Sequence, residues 1–208
     1  MNRIAYLLIP FVALAFSGCG PDEDGDNGDD LYERPEGAQA IVTDAQLDEM
    51  VDIGATIYPG SNPADLTGVY DRAGGSIVDA DNEATLSLEA CDSIWTVEAT
   101  EDEEVYSTSS EQYNNCSGTV ETTASYISGV DNCFSLYLEN DGESNGCNFR
   151  WAQVISGCLE DDGISDYQEV DLGIENDGTS QCQSLVDQGI IPDVGERALL
   201  VYPFVERL

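Results

Sequence analysis

A chain of 208 residues with 42 acidic side chains, six arginines and neither lysine nor histidine carries a formal charge of −36 at pH 7. Such a surface repels phosphate backbones and anionic headgroups, so nucleic acids are excluded as partners. Without imidazole or amine groups, only carboxylate chemistry remains for catalysis; no pair among 42 acids stands out, and neither an enzyme nor a cofactor is expected.

In chain order, Met1-Asn2-Arg3 supplies a positive start and Ile4 to Phe16 an uncharged, mostly apolar run. As a helix this run covers about 20 Å, short of the roughly 30 Å a bilayer core requires. A charged start, a short apolar stretch and small residues are the grammar of an export signal, here residues 1–18. The step Phe16-Ser17-Gly18-Cys19 resembles the lipobox of bacterial lipoproteins. That resemblance implies cleavage before Cys19, lipid attachment to Cys19, and a place in the bacterial cell envelope, at the outer membrane or cell surface.

Residues 20–30 then carry six acids among Gly, Pro and Asn, a composition that cannot bury enough apolar surface to fold. Residues 19–38 are expected to be a solvated tether and 39–208 a folded domain. Asp22-x-Asp24-x-Asp26 comes nearest to a calcium loop but has Asn27 in the glycine place. Asp161-Asp162-Gly163 and Asn176-Asp177-Gly178 read as turns.

Seven cysteines are an odd number for an exported chain. With Cys19 acylated, Cys91, Cys116, Cys133, Cys147, Cys158 and Cys182 suffice for three disulfides, in any of about 15 pairings. No histidine and no Cys-x-x-Cys occur, so no metal site is expected.

Thr43 three residues ahead of Gln46 predicts a capping box; Leu47, Met50 and Val51 form its apolar stripe and Gly54 its stop. Beyond Ile57, short alternating runs separated by Gly, Asn and Asp predict eight or nine strands. They cover Leu66–Tyr70, Ser76–Val78, Leu86 with Leu88, Trp95 with Val97 and Ala99, and Val120–Tyr126. They continue through Phe134 with Leu136 and Leu138, Phe149 with Trp151, Val170 with Leu172, and Ala198–Val205. A second helix is expected over 181–188. Alternation wets one face and buries the other, so the expectation is all-β: a single antiparallel barrel or sandwich with one or two short helices.

Tyr126-Ile127-Ser128-Gly129 and Val154-Ile155-Ser156-Gly157 echo one another. With Asn62-Pro63-x-x-x-x-Gly68-Val69-Tyr70 and Gly163-Ile164 they resemble a pattern of uncharacterised secreted bacterial lipoproteins, which implies no activity. Gly68-Val69-Tyr70 after a short helix also resembles the Gly-x-Trp of lipocalins. That resemblance implies Arg197 covering Tyr70, and Tyr70, Trp95, Tyr126 and Trp151 around a small apolar ligand. Two functions follow: a lipid-anchored interaction or structural domain meeting a protein partner, or a lipocalin-like carrier.

Overall fold

Two short helices, α1 (Glu36–Ile41) and α2 (Asp44–Asp52), open a sheet of twelve strands. The strands are β1 (Ser61–Asn62), β2 (Gly68–Arg72), β3 (Ser76–Ala80), β4 (Ser93–Val97), β5 (Ala99–Glu101), β6 (Glu104–Tyr106), β7 (Thr119–Val130), β8 (Cys133–Ser144), β9 (Cys147–Glu160), β10 (Gly163–Asn176), β11 (Arg197–Val201) and β12 (Val205–Arg207). A third helix, α3 (Ser180–Asp187), separates β10 from β11. This computed structural model describes residues 32–97, 99–101, 104–106 and 119–208, and of residues 99–101 and 104–106 the backbone alone. The expected export signal of residues 1–18, Cys19, the acidic run 20–30 and Cys116 lie outside the described residues.

The capping box forms as its spacing requires. Thr43 Oγ1 accepts from the Gln46 amide at 3.4 Å, and Gln46 Oε1 accepts from the Thr43 amide at 2.9 Å. Leu47 and Met50 are fully buried, whereas Val51 faces outward and is exposed; Gly54 takes the positive φ of a helix stop. Helix α1 was not anticipated. It sits so close to the sheet that a Cβ on Gly37 would enter the ring of Tyr126. Ahead of it, the Arg34 guanidinium is buried, donating to Tyr32 O and Val42 O and pairing with Asp44. Residues 32–38 therefore belong to the compact unit.

Strands β7 to β10 form a meander of 12 to 14 residues per strand, joined by two-residue turns. Asn145 and Gly146 at the middle turn have φ of +52° and +82°, the type I′ geometry that matches strand twist. The sheet order is β4-β2-β12-β10-β9-β8-β7-β6-β5, with β11 on β10 and β3 on β11. The sheet curls into a half-barrel rather than the closed barrel or sandwich anticipated. Its end strands β4 and β5 are consecutive in the chain, separated by residue 98 alone. The sheet is also mixed, because β1 lies parallel to β7.

That parallel pair has a local cause. The segment preceding β1 crosses the outer face of the sheet on a row of side chains: Gln168 Oε1 accepts from Thr56 N, Ser135 Oγ from Tyr58 N, and Ser128 Oγ donates to Tyr58 O, each at 2.8 Å. Ser128, Ser135, Ser156 and Gln168 stand opposite one another on four strands. The Ile-Ser-Gly echo is thereby explained. Ile127 and Ile155 enter the inner core, Ser128 and Ser156 join this row, and Gly129 and Gly157 have no room for a Cβ.

Side chains pack against both faces. The inner face holds Leu66, Tyr70, Trp95, Phe134, Leu136, Leu138, Ile155, Tyr167 and Tyr202; the outer holds Tyr137, Ala152, Val154, Val170 and Leu172 beneath α1 and α2. Alternation in β8 was expected to leave one face wet, but the helices cover Tyr137 as well. Leu86 and Leu88 belong to no strand: Thr85–Ser87 is a 3-10 turn and both leucines are exposed. In β10, Asp166 at φ +51° inserts a bulge, so that Ile164 and Tyr167, three apart, share the inner face.

Candidate functional site

The four aromatics proposed to surround a ligand do not converge. Tyr70 and Trp95 are neighbours in the inner core, ring centroids 5.5 Å apart, with Tyr167 edge-on to Trp95 at 6.4 Å and Tyr202 edge-on to Tyr167 at 5.3 Å. Tyr126 is on the outer face beneath α1. Trp151 stacks on Phe149 at 5.3 Å, and the pair covers Gly142, where a Cβ would meet both rings. Nor does Arg197 cover Tyr70; it bridges Glu49 on α2 and Asp81 after β3. Arg207, on the strand paired with β2, lies 6.0 Å above the Tyr70 ring and donates to Thr67 O.

Beside these rings a buried polar network crosses four strands. Arg72 donates to Ser93 Oγ from Nε and Nη2 at 2.9 and 2.6 Å, and Nη1 reaches Tyr167 Oη at 3.3 Å and Glu169 Oε2 at 3.2 Å. Gln153 Nε2 donates to Glu169 Oε1 at 2.6 Å and Asp171 Oδ1 at 2.9 Å. Burial pushes the Tyr167 hydroxyl well above the usual tyrosine range, keeping it a neutral donor. Every charge is answered by a partner, so the arrangement fixes strand register. Sequence reading missed it because Glu169 and Asp171 alternate with Val170 and Leu172 and so read as the wet face, while that face carries the inner network.

At the far end of the meander the outer face lies beyond the helices and opens a trough of about 570 Å³. Glu121, Asp141, Glu143, Glu175 and Asp177 line it, with Arg150 among them. Arg150 pairs with Glu139 at 3.4 Å and Glu175 at 3.2 Å. Hydrogen bonds from the Asn148 amide and from Thr179 hold the Asp177 carboxyl below the usual range. The surface offers acceptors and negative charge. Only one group among the described residues is compact enough to hold a metal: Cys147, Asp177 and Cys182. Both of its sulfurs are already joined in a disulfide.

The cysteine pairing is now specific for two bonds. Cys133–Cys158 links opposed residues of β8 and β9, and Cys147–Cys182 links β9 to α3. Cys91 is disulfide-bonded too. Comparison with known proteins finds no matching family, no matching curated protein and no matching solved structure.

Proposed function

We propose that this chain is an exported, lipid-anchored cell-envelope protein whose disulfide-stapled β domain acts as an interaction or structural module. The lipobox-like step at Cys19 supports the anchor, and cystines accord with an oxidising compartment. The observation that carries the module reading is the filling of the sheet's inner face by Tyr70, Trp95, Tyr167 and Tyr202, in contact ring to ring. Recognition then falls to the outer surface, where the charge favours a cationic protein partner. In the native host, labelling with an alkyne fatty acid should mark the wild-type chain and not Cys19→Ala, which should appear in the soluble fraction. A label retained without Cys19, or a wild type that keeps Met1, overturns the anchor.

A lipocalin-like carrier is the second reading, favoured by the half-barrel whose end strands β4 and β5 are consecutive, and by Arg207 over Tyr70. Native mass spectrometry of host-purified protein separates the two. A co-purified apolar small molecule supports the carrier; a protein partner supports the module.

A further inference from the structure

We propose that the Cys133–Cys158 bond is a thiol–disulfide exchange site, addressed by a neutral or cationic dithiol while Cys147–Cys182 stays closed. The inference stands on the two cystines alone and is independent of the lipid anchor.

Cys133 and Cys158 face each other at the end of β8 and β9, whose register then continues to Ser144 and Cys147. A further clasp holds the same spot: Leu159 N donates to Asn132 O at 2.7 Å and Asn132 Nδ2 to Leu159 O at 3.1 Å. The covalent bond therefore joins residues that stay adjacent without it. Both cysteines are only partly buried, so a thiolate in solution can reach a sulfur.

The second bond has the opposite surroundings. Cys147 and Cys182 are 0% and 1% exposed, packed with Leu185, Val186 and Ile191. Asp177 Oδ1 stands 2.9 Å from Cys182 Sγ, so an approaching thiolate meets a carboxylate as well as apolar cover. This bond fastens a helix to the sheet, which strand pairing cannot do.

In the exchange, one thiolate of the dithiol bonds to the sulfur of Cys133 or Cys158. The S–S bond breaks, its electron pair leaves on the other cysteine, and that thiolate takes a proton from water. The second thiol of the reductant attacks the mixed disulfide and frees the first cysteine. The protein cystine is reduced by two electrons and the dithiol is oxidised to its own disulfide. Asp131, Glu160, Asp161 and Asp162 belong to the adjoining strand ends and turns, which disfavours anionic thiols.

The test uses the folded full chain, briefly treated with dithiothreitol, alkylated and mapped by peptide mass spectrometry. Cys133 and Cys158 should become modified at least about tenfold faster than Cys147 and Cys182, with the far-ultraviolet dichroism unchanged. Cysteamine should open the bond faster than glutathione, and the gap should narrow in molar salt. Equal opening of the two bonds, loss of dichroism as Cys133–Cys158 opens, or glutathione faster than cysteamine overturns the proposal. The double variant Cys133→Ser/Cys158→Ser should fold; its failure to do so would equally overturn it.

Discussion

Arg72 and Arg150 both meet glutamates, and their surroundings decide what each pair contributes. The Arg72–Glu169 side chains are 5% and 8% exposed, those of Arg150 and Glu175 40% and 68%. Removing one member of a buried pair strands its partner in a poor solvent, at about 3–5 kcal/mol; an exposed pair contributes about 0–1 kcal/mol. Urea unfolding should accordingly show Arg72→Met severely destabilised and Arg150→Ala close to wild type. Arg197 gives a pH-dependent case. Its hydrogen bonds hold the Asp81 carboxyl below the usual carboxylate range. A depressed folded-state value means the stabilisation is complete above the unfolded value of about 3.9 and fades as pH falls through the folded one. Unfolding midpoints collected from neutral pH into acid should therefore show Asp81→Asn losing part of the acid limb that wild type displays; identical limbs would refute that role.

At the scale of elements, the α2 cap and the α3 staple are separable. Thr43→Ala should cost about 1 kcal/mol, the usual loss when a capping oxygen goes. Opening Cys147–Cys182, with its sequence separation of 35, should cost about 2–4 kcal/mol in urea unfolding. Both elements were legible beforehand, α2 from Thr43 and Gln46, α3 as a helix expected over 181–188 and found over Ser180–Asp187. The alternation of β8 was equally plain, because each residue's neighbours two places away share its character; in β7 a bulge at Thr123 puts Val120 and Thr122 on the opposite face from Ala124 and Tyr126. What local pattern could not supply was context. Leu86 and Leu88 keep strand parity although Leu86 sits in a 3-10 turn and Leu88 caps it, since two residues define no period. Ile164 and Tyr167 break parity inside a real strand, because Asp166 bulges. Helix α1, with six residues and a glycine, gives too few positions for a helical stripe and exists because it packs on Tyr126.

For the whole molecule, repulsion among 42 carboxylates opposes compaction at low salt, and screening shortens its reach. The melting temperature should rise between roughly 0.05 M and 2 M NaCl; a flat response would show that charge repulsion does not limit this fold. The class of fold was readable from alternation, but the half-barrel and the trough were not. The trough draws Glu121, Asp141, Arg150 and Glu175 from four strands, and only the register of the meander brings them level.

Strand order also dictates a timetable. The β2–β4 ribbon reaches the remaining sheet through β12, where Glu206 stands opposite both Asp71 and Gly163. During synthesis the ribbon is complete at Val97, 108 residues before Val205 opens its docking strand, a wait on the order of ten seconds at ordinary translation speeds. Through that interval Tyr70 and Trp95 have no finished wall to close against. The wall that seats Tyr70 against the rest of the sheet is completed only when β12, the strand between β2 and β10, is delivered.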